Sequence, residues 1–209
     1  MTDAERVLRV LLHDLRTPLG VAQGYLRMMQ EGRLTAAAET ERAVTKALSA
    51  LGQTARLCQD ASDFIDLDTG GDRVRTADVP ASELVAEFSR LAEHKSAAIA
   101  SSAVTDGAQV SLAGDAGEVA EAVFVVVRSV GSGRTLRVES TPGELRFLAA
   151  GTEPAGGVEP FDLWSHGLAV AAAGRRIAWS SGLIQKLANG NGLIVTFPLR
   201  HGTGAPTTA

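Results

Sequence analysis

The residues best equipped for chemistry lie together near the start of the chain, in the run His13-Asp14-Leu15-Arg16-Thr17-Pro18-Leu19. A neutral imidazole is a competent nucleophile near pH 7. A carboxylate that accepts one ring N–H raises the basicity of the other nitrogen. Asp14, adjacent in sequence, can fill that role as general base or orienting group. Thr17 follows one helical turn after His13 and reaches the same surface. Pro18 removes a backbone hydrogen bond, which costs on the order of 3 kcal/mol inside a regular helix.

These side chains must be held by a long helix. Leu8, Leu11, Leu15, Pro18, Ala22, Tyr25 and Met29 follow alternating three- and four-residue steps, the a/d spacing of a bundle helix. On that heptad His13 takes an f position and Thr17 a c position, both outward, and Asp14 takes g at the flank. After a break at Glu31-Gly32-Arg33, the spacing returns as Val44, Leu48, Leu51, Ala55, Cys58, Ser62 and Ile65. Two helices of about 30 residues each reach ~45 Å. A single hairpin of that length leaves its seam half covered. Pairing two hairpins in a four-helix bundle would bury it, so a homodimer is expected.

Past Asp68-Thr69-Gly70-Gly71-Asp72, read as a linker, the period changes. A strand is expected over 74–79, and Pro80-Ala81-Ser82-Glu83 opens a helix carrying Leu84, Phe88 and Leu91. Strands are expected at 109–113, 135–141 and 144–149, with an apolar helix at about 116–130. A further helix is expected from Gly167 to Ser180. Strands 183–188 and 193–199 join across Asn189-Gly190-Asn191-Gly192, a tight-turn sequence. This order predicts a two-layer α/β sandwich.

Composition narrows the function. Hydrophobic residues make up 45% and charged residues 21%, ordinary for a globular chain. A formal net charge of −4 argues against a nucleic-acid partner. No apolar run approaches a membrane span and no signal-peptide core follows the N-terminus, so no membrane partner and a cytoplasmic location are expected. One cysteine, Cys58, allows no internal disulfide, and the four dispersed histidines lack metal-ligand spacing. His94 and His201 read as exposed, His166 as bordering a helix, and Trp164 and Trp179 as packing residues.

The seven-residue run resembles the H-box of bacterial sensor histidine kinases. The hairpin around it resembles their dimerization and histidine-phosphotransfer (DHp) domain. The resemblance implies that His13 is the phosphoacceptor, that Asp14 acts in acid–base or orienting fashion, and that Thr17 positions water for dephosphorylation. It leaves two readings of Pro18, a tolerated kink and a bend used in changing state. Residues 73–200 resemble the kinases' ATP-binding (GHKL) domain with its nucleotide residues replaced. In the family's N-box, asparagines coordinate magnesium; those positions fall on Val125 and Ser129, and valine cannot ligate a hard cation. In Leu148-Ala149-Ala150-Gly151-Thr152-Glu153, Ala149 stands where an aspartate holds adenine, and Glu153 replaces a glycine. Glu159-Pro160-Phe161 resembles the F-box. Asp162-Leu163-Trp164-Ser165-His166 then leads almost directly to Gly167, leaving no room for the family's lid, and Ser165 takes the place of the first glycine in the phosphate-cradling turn.

The expected organisation is therefore a phosphotransfer hairpin (1–68), a degenerate ATPase-like α/β domain (73–200) and a tail (201–209). The expected function is a histidine phosphotransferase that shuttles phosphoryl groups between response-regulator receiver domains through His13. The chain itself would bind no cofactor, and magnesium would come with the receiver. Two alternatives remain open at this point: an ATP-dependent kinase with an unusual nucleotide site, and a non-catalytic dimer that sequesters a receiver.

Overall fold

The structure is a computed structural model that describes residues 3–69, 75–95, 97–101, 103–104, 106–129, 135–150, 158–187 and 192–201. The linker glycines 70 and 71, Val74, the segment Gly151-Thr152-Glu153, the turn residues 189–191 and the tail from Gly202 lie outside the described residues. The chain divides into two compact units, residues 1–66 with 167–169, and residues 67–166 with 170–209.

The first unit is a helical hairpin of α1 (Asp3–Gln30) and α2 (Ala37–Thr69). Acidic Asp3 and Glu5 occupy the first turn of α1 and Arg27 its last, each complementing the helix dipole. Gly32 ends the helix in the left-handed region at φ 65°. Its N–H donates to Met29 O, and Arg33 N–H donates to Met28 O, the paired bonds of a Schellman stop. Ahead of α2, the Ala36 N–H reaches the Glu39 carboxylate, half of a capping box. Helix α1 runs through Pro18 without interruption.

Inside the hairpin the buried positions are Val7, Pro18 and Ala22 on α1, and Ala43, Ala47, Ala50, Ala61 and Phe64 on α2. The expected α2 seam lies one residue from this inner line and faces outward in the single chain. Leu48 is 63% exposed, and Val44, Leu51 and Ile65 are exposed with it. On α1, Leu8 is likewise 56% exposed, and Val7 takes the buried place beside it. Alanines let the two backbones approach closely, and the larger side chains are displaced to an outward stripe. Each helix therefore carries two apolar lines, one inside the hairpin and one outside.

The second unit contains β1 (Thr76–Pro80), α3 (Ala81–His94), β2 (Ile99–Ser101), β3 (Ala108–Ala113) and α4 (Ala116–Ser129). After these come β4 (Thr135–Thr141), β5 (Glu144–Ala150), β6 (Val158–Pro160), a 3-10 turn at Leu163–His166 and α5 (Leu168–Trp179). β7 (Leu183–Leu187), β8 (Gly192–Pro198) and β9 (Arg200–His201) complete it. Six strands form one sheet in the order β2-β4-β5-β8-β7-β6, and β1, β3 and β9 form a second. Every pairing is antiparallel except β2 with β4. The β4–β5 hairpin turns at Pro142-Gly143, where Gly143 takes φ 98°, as a type II turn requires at its third residue.

One face of the six-stranded sheet packs on the helices. Leu136, Val138, Leu145, Phe147, Val195 and Phe197 point there by strand alternation and are almost fully buried. Phe147 meets Phe88 of α3 edge-on at 4.8 Å and Phe197 at 6.0 Å. Val119, Val123, Val126 and Val127 bring α4 into the same core, and Val170, Ala173 and Ile177 bring α5. The result is a helical hairpin followed by a two-layer α/β sandwich. No helix among the described residues is long and apolar enough to cross a membrane.

Candidate functional site

Helix α1 presents His13 to solvent with its side chain 81% exposed, while the neighbouring Asp14 is 29% exposed. The half-buried carboxylate turns onto the ring: His13 Nδ1 and Asp14 Oδ1 lie 3.0 Å apart. A carboxylate can only accept, so Nδ1 carries the hydrogen and donates it. In the neutral ring this leaves the lone pair on Nε2, away from Asp14. Thr17 is exposed one turn further along α1. All three therefore reach the surface on one helix, as the heptad reading places them. An open concavity of about 460 Å³ lies beside the histidine, lined by Glu5, Leu8, Arg9, Leu12, His13 and Arg16. Arg9 escaped the sequence reading, although its four-residue spacing from His13 was a usable signal.

In the second unit the positions compared above with a nucleotide site have other occupations. Val125 packs against the domain core. Ser129 turns its hydroxyl back onto its own helix and donates to Val126 O at 2.7 Å. Ala149 is 1% exposed and belongs to the same core as Phe147 and Leu193. Between β6 and α5 the chain spends Phe161 to Gly167 largely in the 3-10 turn. Phe161 stacks on His166 with ring centroids 4.7 Å apart. Leu163 lies against Gly174 of α5, where an added Cβ would overlap the leucine side chain. Gly114 adopts φ 109° beside the ion pair of Glu118 and Arg176, which meet at 2.6 Å across α4 and α5. Asp115 caps α4 by accepting from Glu118 N–H at 2.8 Å. His94 is exposed, and Trp164 and Trp179 are half-buried. Among the described residues, no three His, Cys, Asp or Glu side chains gather as metal ligands.

Residues 3–70 match the model of the His Kinase A (phospho-acceptor) domain. Two solved structures share the fold across nearly the whole chain. The Acinetobacter baumannii histidine kinase AdeS superposes with a TM-score of 0.63 at 16% identity, covering 91% of this chain and 98% of that one. Full-length ShkA, solved in complex with AMPPNP, gives 0.50 at 21% identity, covering 93% of this chain and 45% of that one. No protein of curated function matches the sequence. Residues 3–70 thus match a phospho-acceptor domain, and the chain shares with AdeS and ShkA the fold of a helical hairpin followed by an α/β domain.

Proposed function

We propose that the protein is a histidine phosphotransferase, carrying phosphoryl groups between response-regulator aspartates on His13 without using ATP. The observation that carries this reading is the His13–Asp14 pair, exposed on a phospho-acceptor hairpin with Nε2 free to attack. The receiver's aspartyl phosphate would supply the phosphoryl group, and the receiver domain would hold the magnesium that neutralises its charge. Acyl phosphate and phosphoramidate are both energetic, so the transfer depends on positioning more than on driving force. Asp14 holds the ring tautomer and stabilises the charge that develops as Nε2 bonds to phosphorus. Thr17 would position water when the phosphoryl group is hydrolysed instead of transferred.

The second unit supports the ATP-independent part of this reading. A magnesium–nucleotide complex needs oxygen ligands on α4 and a carboxylate for adenine. Val125 and Ala149 offer neither, because their side chains carry no oxygen, and the Ser129 hydroxyl already bonds to its own helix. The residues present do not fit that group. The short connection from Phe161 to Gly167, anchored by Leu163, takes the place of a lid.

Two copies of the hairpin would cover the outward stripes of Leu8, Leu12, Leu19 and Leu26 on α1 and Val44, Leu48, Leu51 and Ile65 on α2. A homodimer is part of the proposal for that reason. The deciding experiment incubates the protein with phosphorylated receivers and follows label onto His13. Label that reaches wild type and not His13→Gln supports transfer. Binding of receivers without any label would favour a sequestering dimer, and label from ATP would favour a kinase.

A further inference from the structure

We propose that Arg9 is a phosphate-binding residue of the transfer site, facing Arg16 across His13. The inference rests on the phosphotransfer reading of His13. Arg9 and Arg16 stand four residues before and three after the histidine. On a helix this places them ~6 Å and ~4.5 Å along the axis from it, on the same face. Both are exposed, and both line the concavity that His13 enters. Among the described residues neither guanidinium is held in an ion pair. Arg27 and Arg33, by contrast, are both drawn to Glu31. The Asp14 carboxylate is turned onto Nδ1, and Glu5 lies a further turn beyond Arg9 at the far end of the concavity.

The chemistry at His13 creates a demand that this arrangement meets. The Nε2 lone pair forms the N–P bond as the O–P bond to the receiver aspartate breaks. The bonding pair leaves on that aspartate as carboxylate, and the Nδ1 proton stays on the ring, shared with Asp14. Throughout, the non-bridging phosphoryl oxygens keep their negative charge beside the helix surface. A planar guanidinium pairs with two such oxygens at once, and one on each side of the nucleophile fixes the approach along Nε2. Arg16 belongs to the seven-residue H-box run, whereas Arg9 lies outside it and is what this chain adds.

The test compares full-length wild type, Arg9→Gln and Arg9→Lys with two donors, a phosphorylated receiver and potassium phosphoramidate. The small donor has no protein surface, so it reads the phosphoryl contact alone. Arg9→Gln is expected to label His13 ~10- to 100-fold more slowly from both donors, with the loss in kcat and with Arg9→Lys recovering part of it. Circular dichroism checks folding; should Arg9→Gln fail it, Arg9→Met takes its place. Labelling by phosphoramidate at the wild-type rate overturns the proposal. So does a loss confined to KM for the receiver, which would assign Arg9 to the receiver's acidic surface. If wild type accepts label from phosphoramidate and from no receiver, the phosphotransferase reading fails while the Arg9 comparison still decides its own question. Wild type labelled by neither donor sinks both.

Discussion

Leu163 rests on Gly174: the 3-10 turn after β6 lays its leucine on α5 at the one place where the helix has no side chain. Any Cβ there collides with the leucine methyls. Gly174→Ala is therefore expected to destabilise the α/β domain by ~1–3 kcal/mol, despite alanine's better helix propensity. Urea unfolding measures it. Combining the change with Leu163→Ala should recover part of the loss, because the two residues share one contact. Additive effects would mean that the connection is not held by this contact.

Ser180 is the buried polar residue of the described core, 1% exposed, and its hydroxyl serves two backbones. It accepts from Ala113 N–H at 2.9 Å and donates to Arg176 O at 3.0 Å. Ser180→Ala leaves the Ala113 N–H without that acceptor, a cost of about 1–3 kcal/mol. Thermal unfolding that matches wild type would show that the strand relaxes to find another partner.

Phosphoryl transfer from a receiver is expected to require His13 absolutely and Asp14 in part. Asp14→Asn removes the charge that Nδ1–H donates to while keeping a side chain of the same shape. A loss in rate of about 10²–10⁴-fold is expected, with receiver binding unchanged. Thr17→Ala should leave transfer near wild type and reduce hydrolysis of the phosphorylated receiver. Quenched-flow labelling separates the two activities. An Asp14→Asn protein as fast as wild type would remove Asp14 from the mechanism.

Millimolar Mg-ATP is expected to leave the melting temperature unchanged and His13 unlabelled. A ligand that binds only the folded state must raise the transition, by ~2.7 kcal/mol at a hundred times its dissociation constant. With no oxygen ligand at Val125 and no carboxylate at Ala149, no such shift is anticipated. A clear shift together with His13-dependent labelling from ATP would restore the kinase reading.

Light scattering should return a dimer at micromolar concentration. Leu48→Glu with Leu51→Glu should yield monomer or unfolded hairpin, since both leucines lie on the outward stripe. The same exchange at exposed Arg42 and Lys46 should leave the mass unchanged.

Much of this was legible in the chain itself. The outward placement of His13 and Thr17 followed from one heptad, and β4 from its own alternation. The larger side chains of α2 mark the outward line, and the inner line beside it is not evident from hydrophobic spacing. The inner line is built from Ala43, Ala47, Ala50 and Ala61, which look weakly apolar but permit close helix contact. Strands β2, β6 and β9 were missed, being three, three and two residues long and defined by their partners. The Glu118–Arg176 pair and the Phe161–His166 stack depend on tertiary placement and left no local pattern to find.

The two apolar lines of the hairpin differ in size as well as direction, and that difference bears on how the hairpin depends on concentration. With alanines inside and leucines outside, most of the attainable hydrophobic free energy is gained only when a second surface arrives. In the proposed homodimer, folding of the hairpin and its association would be coupled, and dilution would act on that unit as a denaturant. The amount of competent phosphoacceptor would rise more steeply than in proportion to the amount of chain, so the level of expression would itself set a threshold on signalling.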